Sequence, residues 1–216
     1  ANCSTNTTVT VTINPGDRIA LIGDNGTGKT TLLRLVVGEI KPSEGVVTNS
    51  FTSIGYVRQV LGQHESVSLL FDGCEHWRVL AVLSDMSLDE TVLGKSIGQL
   101  SGGQATKVQL AAILAREFSD ALILDEPTNN LDREAVEWLE AFLVRYKGAV
   151  LTASHDRSFI DQFATKIWAL KDQSVIVYNG NYSSYTRELD REHAHRLQEY
   201  EKEQKEKQKL KKLLID

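Results

Sequence analysis

The stretch that decides the fold is Arg18-Ile19-Ala20-Leu21-Ile22-Gly23-Asp24-Asn25-Gly26-Thr27-Gly28-Lys29-Thr30-Thr31. A short apolar run enters a glycine-rich turn, and residues with helical spacing follow as far as Val37. Residues 23–30 fit the pattern G-x-x-x-x-G-K-[ST], with the strand before it and the helix after it that the pattern requires. Glycines let successive N–H groups turn inward around an anion with no Cβ in the way. Lys29 supplies a point charge for the β- and γ-phosphates of a nucleotide, and the Thr30 hydroxyl is suited to Mg²⁺. Gly23, Asp24, Asn25, Gly26, Thr27, Gly28, Lys29, Thr30 and Thr31 form the candidate nucleotide-binding set.

Working outward, the chain alternates strand and helix patterns, which predicts a layered α/β domain. Strands are expected at Thr10–Ile13, Arg18–Ile22, Gly45–Asn49, Ser53–Val57, Ala121–Leu124, Ala149–Thr152, Ile167–Leu170 and Ser174–Tyr178. Helices are expected at Thr30–Val37, Gln104–Glu117, Arg133–Tyr146 and Asp156–Phe163. Residues 60–98 carry no clear period and read as a small helical subdomain.

Three strand ends carry chemistry. Ala121-Leu122-Ile123-Leu124 reads as a buried parallel strand and is followed by Asp125-Glu126, at the end where ligands bind in open α/β sheets. Asp125 is suited to hold Mg²⁺. Glu126, one residue on, points the other way and can take a proton from an attacking water. Val150-Leu151-Thr152-Ala153-Ser154 ends in His155, a candidate γ-phosphate sensor. Gln59 follows the strand at Ile54–Val57. Separately, Ser101-Gly102-Gly103-Gln104 offers a hydroxyl, backbone N–H groups and a helix N-terminus, which make a second anion site.

The 216 residues are 41% hydrophobic and 25% charged with a net charge of −5, a globular balance without a whole-surface nucleic-acid grip. Two cysteines, Cys3 and Cys74, suit reduced thiols in a cytoplasmic protein. No apolar run approaches the roughly 18 residues of a membrane span. Composition shifts at Asn179-Gly180-Asn181, and residues 186–216 hold nine Lys/Arg and eight Asp/Glu with no Gly or Pro. That segment reads as one long solvated helix crossing to another domain.

In order and spacing these motifs resemble the ATP-binding-cassette (ABC) ATPases over residues 9–180. The resemblance implies a P-loop NTPase of the ABC fold: a mostly parallel core sheet, an antiparallel β part, a small helical subdomain at about 60–118 and a long C-terminal helix. It implies an ATPase that uses ATP and Mg²⁺, with Glu126 as general base and His155 on the γ-phosphate. Gln59 would serve both water and metal, and Thr30 and Asp125 would hold the metal. It further implies head-to-tail pairing with a second cassette, in which Ser101, Gly102, Gly103 and Gln104 meet the partner's ATP.

Three stretches resemble the ABC-F branch, whose members lack membrane domains and act on the ribosome. They are Asp125–Asp132, Ser154–Ile160, and Tyr178–Tyr185 opening the charged helix. This implies a cytoplasmic translation or antibiotic-resistance factor, with a cassette at 1–182 and a linker helix at 183–216. The second cassette would then be the other half of the same polypeptide. An ATPase subunit of a membrane transporter and a DNA-repair or chromosome ATPase are the alternatives. The first would present a coupling surface within 60–98. The second would place its coiled coil between the phosphate loop and the signature.

Overall fold

The computed structural model describes residues 10–213 apart from 60–61, 117–118 and 172–173. Six strands form one sheet: β1 (Arg18–Ile22), β2 (Ile54–Val57), β3 (Ala121–Asp125), β4 (Ala149–Ala153), β5 (Lys166–Lys171) and β6 (Ser174–Asn179), in the order β2-β3-β4-β1-β5-β6. All neighbouring pairs are parallel except β5 and β6, which form an antiparallel hairpin. Every residue of β3 and β4 is buried, as expected of central parallel strands covered on both faces.

The two faces carry different layers. Ile19, Leu21, Ile123, Leu151 and Trp168 pack with Leu33 of helix α1 (Lys29–Val37). On the other face, Ala20, Leu122, Leu124, Val150 and Ile167 pack against α4 (Gly102–Ala115), α5 (Arg133–Arg145) and α6 (Arg157–Phe163), through Leu110, Leu139 and Phe159 among others. Asp132 caps α5 by accepting the Ala135 N–H at 2.8 Å, and Asp156 caps α6 by accepting that of Phe159 at 3.1 Å. These caps place the chain between β3 and α5, and between β4 and α6, at the sheet's carboxyl edge.

Between β2 and α4 lie two helices, α2 (Val67–Leu70) and α3 (His76–Asp85), and two 3₁₀ turns at Glu90–Gly94 and Ile97–Gln99. Val67 donates to Lys95 O at 3.0 Å, Ile97 to Glu65 O at 2.9 Å and Gly98 to Gln63 O at 2.9 Å. The excursion therefore leaves and returns at one point, and its apolar side chains Val79, Leu83 and Met86 join the core beside α4. After β6, helix α7 (Tyr182–Leu213) is charged along its length. Asn181 caps it by accepting the Ser184 N–H, and Asp161 of α6 accepts both the N–H and the hydroxyl of Ser183 at 2.8 and 2.7 Å.

Two expected strands are not strands. Residues 45–49 are irregular, with Gly45 at φ 85° and Val46 85% exposed, so their valines face water and no ladder is formed. Residues 10–13 join no strand among the described residues, and their alternation is satisfied by Val11 and Ile13 packing on the α1 side of the sheet.

Candidate functional site

The phosphate loop connects β1 to α1, and Gly28 enters the helix at φ 101°, a left-handed conformation that residues with a Cβ rarely adopt. The loop is braced from within. Thr27 Oγ1 donates to Asp24 O at 2.8 Å, and Lys29 Nζ reaches back to Gly23 O at 2.8 Å and Asp24 O at 3.2 Å. Lys29 is 8% exposed, so its ammonium is held inside the loop, at the concave side where a phosphate would lie.

Three parallel strands deliver the remaining groups to this end. Asp125 closes β3, is 2% exposed and takes a hydrogen bond from Thr30, while its Oδ2 is buried without a partner. Burial raises the Asp125 carboxyl above the usual aspartate value, opposed by the Thr30 hydrogen bond and the Lys29 charge. A buried carboxylate oxygen lacking a donor, beside a threonine hydroxyl, is a donor set that fits a hard divalent cation.

Glu126 stands at φ 49°, a left-handed position for a residue with a long side chain. The kink turns Glu126 away from Asp125 and toward β4, as such outliers at strand ends often do in functional sites. Its Oε2 accepts the His155 N–H at 3.3 Å, and its Oε1 is 3.3 Å from His155 Nε2. The same Nε2 lies 2.9 Å from Lys29 Nζ. With its proton on Nδ1 the neutral ring accepts from Lys29 at Nε2, whereas a proton on Nε2 is donated to Glu126. The imidazole thus links phosphate loop and carboxylate and can serve one neighbour at a time.

Gln59 is exposed at the end of β2 and lines two adjoining clefts. One, of about 440 Å³, is shared with Asp125, Glu126, Asn129 and Asn130. The other, of about 560 Å³, is shared with Thr30, Arg34 and Asp125. The Tyr56 hydroxyl beneath is pushed up to about 12, by burial first and then by the charges of Asp125 and Glu39. Gln59, Thr30, Asp125, Glu126, His155 and Lys29 are therefore brought to one edge.

Ser101–Gln104 is built separately. The Ser101 Oγ accepts the Gln104 N–H at 3.2 Å and Gln104 Oε1 accepts the Ser101 N–H at 3.1 Å, a reciprocal box that opens α4. Ser101 and Gly102 are exposed. A Cβ on Gly103 would meet Asn130 O at 2.4 Å and one on Gly102 would meet Asn130 Cγ at 2.9 Å, so the glycines let α4 sit against the loop after β3. Lys107 ties the same two parts through Asp132 at 3.1 Å.

Sequence patterns did not single out Asn130, Arg58, Glu39 or Gln109. Asn130, at φ 91°, was the one with a signal, since asparagine tolerates left-handed turns.

A family model described as "ABC transporter" matches residues 7–129, and a second of the same description matches 168–214. The chain belongs to the ABC ATPase family. Among curated relatives of this ABC cassette, the ribosome protection protein VmlR of Bacillus subtilis is 36% identical over 200 residues, covering 91% of this chain and 34% of VmlR. The tylosin resistance ATP-binding protein TlrC of Streptomyces fradiae is 31% identical, covering 89% of this chain and 44% of TlrC. The cassette thus spans about a third to under a half of these relatives. Both are ABC-F proteins. A solved structure, the dimeric post-hydrolysis state of the ATP-binding cassette MJ0796 bound to ADP and Pi, superposes with a TM-score of 0.65 at 25% identity. That alignment covers 79% of this chain and 88% of MJ0796. The fold is accordingly that of an ATP-hydrolysing cassette. Among the described residues, no helix is long and apolar enough to cross a membrane.

Proposed function

We propose that this cassette belongs to an ABC-F protein that acts on the ribosome, as a translation factor or in antibiotic resistance. The observation that carries the reading is the likeness to named ribosome-protection and resistance proteins, which covers 91% of the chain in one case and 89% in another. The charged helix α7 supports it. Residues 183–216 serve as an interdomain linker after a cassette at 1–182.

In this reading residues 23–31 hold ATP, with Lys29 released from the loop carbonyls to the phosphates. Thr30, Asp125 and Gln59 hold Mg²⁺, which supplies charge neutralisation at the phosphates. Glu126 takes the proton of the attacking water, and His155 moves from Lys29 and Glu126 to the γ-phosphate. Ser101–Gln104 caps the ATP of a second cassette, most simply one on the same polypeptide.

The test is co-sedimentation of the full-length protein with ribosomes. Glu126→Gln puts a carboxamide of the same shape in the carboxylate's place and so removes the base. The variant should bind ATP, lose at least about 10²-fold of turnover, and remain on ribosomes in ATP. Ribosome-free sedimentation in ATP refutes the ribosomal reading, and turnover within a few-fold of the parent refutes Glu126 as base.

A further inference from the structure

Gln109 lies on α4 at 6% exposure, between the buried apolar residues Val108 and Leu110. Its Oε1 accepts the Arg58 N–H at 2.9 Å and its Nε2 donates to Arg58 O at 3.1 Å. The β2–β3 register ends at Val57 opposite Leu124, so Arg58 is the first residue past the ladder. One carboxamide replaces the missing strand neighbour there. Among uncharged side chains, only the amides carry a donor and an acceptor side by side in this way.

The two bonded groups belong to different peptide units, 57–58 and 58–59. Fixing both sets the planes on either side of Arg58, and the second plane contains the nitrogen of Gln59. The Arg58 side chain is held elsewhere. Its Nε and Nη2 reach Glu39 Oε1 at 2.9 and 2.5 Å, and Glu39 Oε2 meets Arg34 Nε of α1 at 3.2 Å. Arg58 therefore joins the helix that starts at Ser101–Gln104 to the helix that starts at the phosphate loop. Gln59 follows directly, in the cleft with Asp125.

We propose that Gln109 is a positioning residue for Gln59. Its carboxamide fixes the direction in which Gln59 leaves β2, so that displacement of α4 is transmitted to Gln59 through one peptide unit. The proposal rests on the role given above to Gln59.

The experiment compares the full-length protein with Gln109→Met, which keeps length and packing but removes both bonds, with Gln59→Ala, and with the double variant. Gln109→Met should lower kcat about tenfold while KM for ATP stays within about twofold. It should also speed hydrogen exchange at the Arg58 amide about tenfold or more, since that amide loses its acceptor. The double variant should be no slower than Gln59→Ala alone, because the two act through one group. Where the methionine variant does not fold, Gln109→Leu, which also removes both bonds to Arg58 and keeps an apolar side chain of similar bulk, enters the same comparison. Unchanged exchange at Arg58 overturns the clamp. Losses that multiply in the double variant overturn its action through Gln59. A silent Gln59→Ala overturns the role of Gln59 itself while the exchange still reports the clamp.

Discussion

Replacing Gly103 by alanine tests how tightly the signature is seated on the loop after β3. The new Cβ would stand 2.4 Å from Asn130 O, a backbone atom. Ordinary contact needs about 1 Å more, so either α4 or the 127–131 segment must move. That segment has little slack. Asn129 and Leu131 donate to Glu126 O and Thr128 O at 3.2 Å each, and its far end is tied by Asp132 to Ala135 and Lys107. Overpacking of this kind costs about 1–3 kcal/mol. For a domain of this size the melting temperature should fall by roughly 2–12 °C.

Two internal comparisons sharpen the test. Gly102→Ala meets the Asn130 side chain, Cγ at 2.9 Å and Cβ at 3.0 Å, and a side chain yields more easily than a carbonyl. Gly94→Ala meets nothing within 4 Å at an ordinary φ. Thermal denaturation monitored by fluorescence should therefore rank the losses Gly103 > Gly102 > Gly94, with Gly94→Ala near the parent. A Gly103→Ala melting temperature equal to that of Gly94→Ala refutes the reasoning, because it means the loop gives way freely.

Two further perturbations probe other parts. Burial raises the Asp125 carboxyl, so the fold holds that proton more tightly than the unfolded chain does, and stability declines as pH rises through and above the ordinary aspartate range. Asp125→Asn removes that penalty and should raise nucleotide-free stability at about pH 7.5, with the gain shrinking as pH falls into the carboxylate range in urea titrations. A gain independent of pH would show that the charge is not its source. Asp161→Ala removes the acceptor for the Ser183 N–H and hydroxyl and should cost about 1 kcal/mol locally. Exchange of the 183–186 amides should then rise about fivefold, and unchanged exchange would show that Asn181 alone holds that end.

Much of the layered sheet was legible because burial leaves a local trace. Ala121–Leu124 reads as apolar on both faces since both faces are covered, and Arg18–Ile22 matches β1 end to end. The same logic fails where alternation is satisfied without a ladder, as at Val11 and Ile13. Residues 60–98 are opaque for a different reason. Apart from α3, their elements, a four-residue helix and two 3₁₀ turns, are too short for a period, and the bonds that close the excursion, such as Val67 to Lys95, join distant residues. At the site, strand-end position was enough to collect Gln59, Asp125, Glu126 and His155. Gln109 was hidden because its partner is 51 residues away, and a helical glutamine ordinarily faces water.

Helix α7 has a leverage that its base determines. At 1.5 Å per residue its 32 residues extend about 48 Å. Its first turn is gripped by Asp161, on a seven-residue helix that begins two positions after His155. A tilt of about 10° imposed at that grip would carry the far end by about 8 Å along an unbent rod. A shift of about 1 Å across that first turn, itself about 5.4 Å long, is enough for such a tilt, so it is magnified several-fold by length alone.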